Sequence, residues 1–278
     1  MKIGFVDYYL DEWHANNYPK MIKKASGGAM EVSCAYAMID SPIGGLTTDA
    51  WCEKYQIERC FEIEQVVARS DALVVLSPDN CEMHEQLCQI PLSSGKTTYV
   101  DKTFAPDRAT AAGLFALAER HGTPFYSASA LRCASEYAHW DGGEVTALTS
   151  IGPSLFENYS IHQLEPITML IPARPVRVMA LVQGAWTTLA IEFEDGRAAT
   201  MVCTGGDAPF MMQVNAEAGS RTVEVKSDYM GGFIGQLVKF LETGMAPVSP
   251  QETITIMALR RAGLEAIGRP GQWVPVNG

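Results

Sequence analysis

The stretch from Asp71 to Pro106 constrains the fold of this 278-residue chain more than any other part of its sequence. It opens with a short apolar run, 72–76, which is rich in β-branched residues and typical of a strand buried on both faces. Ser77-Pro78-Asp79-Asn80 predicts a turn, because proline lacks an N–H and Asp and Asn favour turns and helix starts. A helical segment and a second short strand, 97–100, follow this turn.

Two parallel strands joined by a helix form a βαβ unit, and ligands bind beyond the carboxyl ends of such strands. Asp101 and Lys102 come directly after the second strand of this unit. Lys102 is therefore the first residue that we expect to take part in function.

The remainder of the chain divides into two kinds of pattern. Up to residue 125 short apolar runs alternate with helical patterns, which predicts an α/β Rossmann-type, doubly wound parallel sheet. From about residue 145 the pattern has period two, and Asp195-Gly196 predicts a hairpin turn. We therefore expect a Rossmann-like nucleotide-binding-type domain over 1–125, followed by an α+β domain with a mainly antiparallel open sheet over 126–278.

Composition excludes several classes of function. The net charge of −11 argues against nucleic acid and anionic membranes as partners, because both favour a basic protein surface. No apolar run approaches the ~20 residues of a membrane-spanning helix, and the N-terminus resembles a first strand rather than a signal peptide. The seven cysteines show no metal-binding spacing, so we predict reduced thiols in a cytoplasmic protein without a bound metal.

Several segments resemble motifs of the glucose–fructose oxidoreductase / inositol dehydrogenase family, also called Gfo/Idh/MocA. Ser77-Pro78-Asp79-Asn80 with His84 is similar to the family's T-P-(D/N)-x-x-H segment. The run 94–103, SGKTTYVDKT, resembles its A-G-K-H-V-x-x-E-K-P, and Gly143-Glu144-Val145 resembles the G-E-V that opens its second domain. The segment 158–162, NYSIH, falls where the family has D-x-G-x-H.

The resemblance implies an enzyme that oxidises a hydroxyl group of a sugar or cyclitol with NAD or NADP, or that catalyses the reverse reaction. Lys102 would then hydrogen-bond the reacting hydroxyl, His162 would take its proton, and Asn158 would stand in the place of the family's Asp. Tyr159 and His14 are further candidates for contact with a polyol or sugar-like substrate. The positions of the cofactor site fall on a larger set of residues: Asp7, Tyr8, Tyr9, Asp40, Ser77, Pro78, Asp79 and Asp101.

The first strand–helix turn departs from the family's G-x-G-x-x-G, since the glycine positions fall within 7–12, DYYLDE. Glycines let the backbone approach the pyrophosphate of a dinucleotide. Here Tyr9 would occupy that space, and Asp7, Asp11 and Glu12 would add negative charge. A pair of like charges ~4 Å apart costs roughly 4 kcal/mol at an effective dielectric constant near 20, so the usual dinucleotide pose is disfavoured.

Three interpretations remain open from the sequence. The chain binds NAD or NADP in a displaced pose, it performs chemistry without a nicotinamide, or it only binds a ligand. The first predicts an NAD(P)-dependent oxidoreductase, whereas the others predict a cofactor-free lyase, isomerase, or ligand-binding or regulatory subunit on the same scaffold. In each case the resemblance also implies a homo-oligomer, a dimer or a tetramer.

Overall fold

A computed structural model describes residues 1–277 of the chain, which form two compact units. The first unit comprises Met1–Ala128 and Phe233–Pro250. The second unit comprises Ser129–Gly232 and the chain from Gln251 onward. The domain boundary that we placed after residue 125 stays a prediction.

The first unit contains a six-stranded sheet in which each bonded pair of neighbours is parallel. The order β3-β2-β1-β4-β5-β6 reverses direction between β1 and β4, so the carboxyl ends of these two strands flank the usual ligand-binding crevice. The strands are β1 (Lys2–Asp7), β2 (Glu31–Ala37), β3 (Glu58–Arg59), β4 (Ala72–Val75), β5 (Thr98–Val100) and β6 (Phe125–Tyr126). The predicted Rossmann-type sheet is thus confirmed.

The helices of this unit are α1 (Trp13–Ala25), α2 (Thr48–Tyr55), α3 (Ile63–Arg69), α4 (His84–Leu87), α5 (Gln89–Leu92), α6 (Arg108–His121) and most of α9 (Tyr229–Thr243). The helical segment predicted after β4 consists of short pieces, a 3-10 turn at Cys81–Met83 followed by α4 and α5. Pro91 lies within α5 and has no N–H to donate to the preceding turn, which opposes one continuous helix.

The second unit contains a seven-stranded sheet of order β12-β11-β7-β10-β9-β8-β13. Only the β7–β10 pair of this sheet is parallel, so the predicted mainly antiparallel sheet is confirmed. The strands are β7 (Val145–Gly152), β8 (Pro175–Gln183), β9 (Trp186–Phe193), β10 (Ala198–Cys203), β11 (Met211–Ala216), β12 (Gly219–Glu224) and β13 (Trp273–Pro275). Its helices are α7 (Ser135–Ala138), α8 (Phe156–Leu170) and α10 (Pro250–Ile267).

Helix α8 is attached to this sheet by a buried amide. Gln163 accepts a hydrogen bond from the Ser150 hydroxyl at 2.8 Å, and its Nε2 donates to the Val202 carbonyl at 3.0 Å. Gly152 makes room for this contact, because a Cβ there would come within 2.7 Å of the Gln163 amide. The amide therefore fixes the part of α8 that carries the neighbouring His162.

Within residues 1–277 no helix is both long and apolar enough to cross a membrane.

Candidate functional site

The turn between β1 and α1 is closed by the side chain of Glu12. Its Oε2 accepts a hydrogen bond from the His14 backbone N–H at 2.7 Å, and its Oε1 accepts one from the Ala15 N–H. Glu12 is the N-cap residue of α1 and is buried. The chain's own carboxylate thus binds two of the N–H groups that a helix N-terminus otherwise offers to an anion.

The residues of this turn do not fit a dinucleotide pyrophosphate placed against α1. Tyr9 and Leu10 are buried and fill the space that glycines would leave open. A phosphate would also have to displace the Glu12 carboxylate and lie close to Asp7, although like charges repel strongly at such a site. The missing glycines are therefore not the only obstacle to a pyrophosphate at this turn, since Glu12 already caps the N-terminus of α1.

Two further buried carboxylates lie at the carboxyl ends of β1 and β5. Asp7 and Asp101 are each 1% exposed, and the Oδ2 atom of each has no hydrogen-bond partner among the described residues. Burial, and after it the charges of Glu12 and Asp101, raise the pKa of Asp7 well above its ordinary value. Three carboxyl groups thus gather at this end of the sheet, and their mutual repulsion together with burial favours the protonated form of Asp7.

His14 lies between two of these carboxylates. Its Nδ1 is 2.9 Å from Glu12 Oε2, and its Nε2 is 3.7 Å from Asp101 Oδ2. Burial acts to lower the pKa of His14, but the charges of Asp101 and Glu12 outweigh it, so the pKa is raised despite the opposing charge of Lys102. The two carboxylates thus make His14 easier to protonate than a free imidazole.

Lys102 follows β5 at the same edge of the sheet, and its neighbours are held firmly. The Asp101 N–H donates to the Val75 carbonyl at 2.8 Å, while the Tyr99 hydroxyl lies 2.9 Å from Asp101 Oδ1. After Lys102, the buried His84 ring contacts the carbonyls of Thr103 and Phe104 at 3.1 and 2.9 Å. Lys102 itself is half-buried and forms no hydrogen bond or ion pair within the described chain, so its ammonium is available to a ligand.

The other residues predicted for the cofactor have local structural roles. Asp40 accepts hydrogen bonds from the backbone N–H and hydroxyl of Thr48, at 2.7 and 3.0 Å, and thereby supports the start of α2. Ser77 and Pro78 are buried in the turn after β4, whereas Asp79 is exposed and Tyr8 is half-buried. Their part in binding a nucleotide stays a prediction.

The second unit places Asn158, Tyr159 and His162 on helix α8. Asn158 and Tyr159 are exposed and His162 is half-buried, and Asn158 and His162 share a helix face because they are four residues apart. The structure adds a residue that the sequence did not indicate, since Ser129 Oγ is 2.6 Å from His162 Nδ1. That these residues and Lys102 contact one substrate stays a prediction.

Aromatic rings lie close to His162. Tyr159 and Phe210 lie edge-on to the imidazole at centroid distances of 5.1 and 5.9 Å, and Tyr229 is 6.4 Å from Phe210. Aromatic faces suit the apolar faces of sugar and cyclitol rings. Sequence reasoning missed Phe210 and Tyr229, because both lie in segments without a periodic pattern or a motif.

Across the described part of the chain, no three His, Cys, Asp or Glu side chains gather in a way that could hold a metal ion.

No protein-family model and no curated protein sequence matches this chain. Solved structures do match it over almost its whole length. That of GenD2 from gentamicin A biosynthesis, in complex with NAD, has a TM-score of 0.81 and 13% identity, covering 100% of this chain and 97% of that one. Apo scyllo-inositol dehydrogenase from Lactobacillus casei has a TM-score of 0.79 and 16% identity, with 99% and 98% covered.

A third match is the UDP-N-acetylglucosamine 3-dehydrogenase GnnA from Acidithiobacillus ferrooxidans, with a TM-score of 0.74 and 13% identity. It covers 96% of this chain, and 97% of its own chain is covered. At identities this low, structural matches establish a common fold and no more. Together with the six-stranded parallel sheet and the open sheet that follows it, the matches show that this chain has the fold of the Gfo/Idh/MocA-type dehydrogenases.

Proposed function

We propose that this protein is an oxidoreductase that acts on a hydroxyl or keto group of a sugar-like or cyclitol substrate. The observation that carries the proposal is Lys102, which lies at the carboxyl end of a parallel strand and whose ammonium forms no ion pair with any residue of 1–277. Solved structures of the same fold include a scyllo-inositol dehydrogenase and a sugar-nucleotide dehydrogenase, which supports the substrate class.

Lys102 and His162 are the pair that we assign to the reacting oxygen. An ammonium group stabilises the negative charge that develops on that oxygen, and an imidazole forms or breaks a hydrogen bond to it near neutral pH. Asn158 orients the substrate through its amide, since it cannot carry charge. Tyr159 and His14 complete the set of substrate contacts, the first through its aromatic ring and the second through its ring nitrogens.

NAD or NADP is the expected hydride carrier of such a reaction. Because Glu12 caps α1, this proposal requires a pose in which the pyrophosphate avoids the N-terminus of that helix. The test is a titration of the protein with NADH and with NADPH, followed by nicotinamide fluorescence. Absence of binding at millimolar concentrations rejects the nicotinamide part of the proposal.

The second candidate is a cofactor-free protein on the same scaffold, either a lyase or isomerase or a ligand-binding subunit. The observation that favours it is the Glu12 cap, which leaves the first turn without an anion site. Incubation with myo-inositol, scyllo-inositol and D-glucose, with and without NAD, followed by product analysis by NMR, separates the candidates. Turnover that needs no nucleotide supports a lyase or isomerase, whereas turnover that requires NAD supports the oxidoreductase.

Lys102→Ala is the matched test of the assigned site, with Lys20→Ala on the exposed surface of α1 as its control. We expect Lys102→Ala to abolish turnover while polyol binding is retained, and Lys20→Ala to change neither. Retained turnover in Lys102→Ala rejects this site. Polyol binding without turnover by the intact protein favours the ligand-binding subunit.

A further inference from the structure

The buried Ser129 is held in place by an ion pair whose carboxylate, Glu165, lies on the same helix as His162. Ser129 is 0% exposed, and its backbone N–H donates to Glu165 Oε1 at 2.8 Å. Glu165 in turn pairs with Arg132 through its other carboxylate oxygen. Glu165 lies three residues after His162 on α8, so the same helix turn carries both the imidazole and the anchor of the serine.

The groups that surround the Ser129 hydroxyl determine to which of them it donates its proton. A hydroxyl has one donor and two acceptor positions. The Leu131 backbone N–H donates to Ser129 Oγ at 3.2 Å and uses one acceptor position. His162 Nδ1, at 2.6 Å, is the only other group bonded to this oxygen among the described residues.

If Nδ1 carried the imidazole proton, it would donate to Ser129, and the serine proton would then be buried without an acceptor. A buried donor without a partner is strongly disfavoured. If instead Ser129 donates to Nδ1, every one of these groups is satisfied. The neutral imidazole then carries its proton on Nε2.

We propose that Ser129 is a positioning residue that holds neutral His162 as the Nε2–H tautomer, so that His162 offers the reacting oxygen a hydrogen bond rather than a base. The inference rests on the proposed function for the place of His162 in the site. A nitrogen that already carries a proton cannot accept one, so the Nε2–H of His162 and the ammonium of Lys102 both act as hydrogen-bond donors to the reacting oxygen. His162 then polarises a keto group or stabilises an alkoxide, as neutral imidazoles do elsewhere.

The test is the tautomer itself, which is measured on the full chain without substrate or cofactor. Long-range ¹⁵N–¹H spectra of the ¹⁵N-labelled protein, recorded at a pH where the ring is neutral, report each ring nitrogen, and His162→Gln assigns the signals. We expect a pyridine-type shift at Nδ1 and a pyrrole-type shift at Nε2. In Ser129→Ala both shifts should move toward the averaged values of an unconstrained imidazole.

Ser160→Ala is the matched control, because Ser160 is a buried serine like Ser129. It lies on α8 two residues before His162, and therefore on another face of the helix. This variant should keep the wild-type shifts. The inference is overturned by a pyrrole-type Nδ1, by averaged shifts in the wild type, or by unchanged shifts in Ser129→Ala. Because no ligand is used, a failure of nucleotide or polyol binding tests the proposed function separately.

Discussion

At the residue scale, Asp7 is a buried carboxyl group that folding places in an unfavourable environment. Its Oδ1 accepts the Tyr8 N–H at 2.7 Å, but its Oδ2 has no partner among the described residues. Burial first, and then Glu12 and Asp101, raise its pKa in the native state. The native protein therefore binds this proton more tightly than the unfolded chain does, and the stability gained from it is lost as the pH rises through the raised pKa.

Asp7→Asn is accordingly expected to stabilise the protein at pH 7. An amide keeps the acceptor for the Tyr8 N–H and removes the buried charge, which should raise the free energy of unfolding by about 1–3 kcal/mol. The gain should vanish below the unfolded pKa of about 3.9, because the carboxyl is then protonated in both states. Denaturant unfolding at both pH values measures it, and Asp207→Asn on the surface is the control.

His84 is the second residue with a definite expected effect. It is 0% exposed, and its ring nitrogens contact the backbone carbonyls of Leu76, Thr103 and Phe104. These contacts join the end of β4 to the segment after Lys102. The ring thus holds the two sides of the candidate site together within the first unit.

His84→Gln should lose the rigid N–H donor of the ring and its packing in this fully buried position, and lower the free energy of unfolding by roughly 2–4 kcal/mol. Thermal unfolding would report it as a lower midpoint. The exposed His139→Gln serves for comparison and should leave the midpoint unchanged. Equal midpoints for the two variants would contradict the structural role of His84.

At the scale of the elements, helix α1 begins with a carboxylate cap where this fold elsewhere uses glycines. Glu12→Ser should keep the cap, since serine is a preferred N-cap residue, and should remove the charge. We expect the variant to bind ADP at least tenfold more tightly than the wild type. Tenfold corresponds to about 1.4 kcal/mol, well below the roughly 4 kcal/mol of one close pair of like charges.

Isothermal titration with ADP measures this difference, and Glu12→Asp is the matched control because it keeps the charge. We expect Glu12→Asp to bind ADP as weakly as the wild type. Equal affinities of all three proteins would show that the cap does not exclude phosphate. Tyr9 and Leu10 would then be the residues that decide the affinity, since they fill the same turn.

For the molecule as a whole, the sequence predicted both sheets because each has a strong local signal. Apolar runs such as 72–76 and the alternation along β9 fix strands within one or two residues, and Asp195-Gly196 marks the hairpin between β9 and β10. The contacts of the candidate site carry no such signal. Ser129 and His162 are 33 residues apart on different elements, and only the packing of α8 brings them together.

The Glu12 cap likewise carries no signal in the sequence. An acidic residue in the first turn predicts repulsion of the phosphates, because this effect on a ligand follows from the sign of its charge alone. Whether the side chain turns back to the helix N–H groups depends on the backbone at Glu12, which is extended, with φ −131° and ψ 171°. The same residue therefore acts through a hydrogen bond as well as through repulsion.

The homo-oligomer stays a prediction, and the second unit offers a surface on which to test it. Leu181 and Trp186, in the β8–β9 hairpin, are 57% and 46% exposed, and Trp273 in the adjoining β13 is 42% exposed. Burying such side chains against a second copy would remove apolar area from water at about 25 cal/mol per Å². Closed symmetry would favour a dimer or a tetramer.

Light scattering should therefore give a mass of two or four times the 30.3 kDa chain. The double variant Leu181→Lys/Trp186→Lys should reduce this mass to that of the monomer, because two ammonium groups would have to be desolvated in the interface. Ile43→Lys, which changes a 73% exposed side chain of the first unit, should leave the assembly intact. A monomeric wild type would refute the prediction, and an assembly that survives the double variant would place the interface elsewhere.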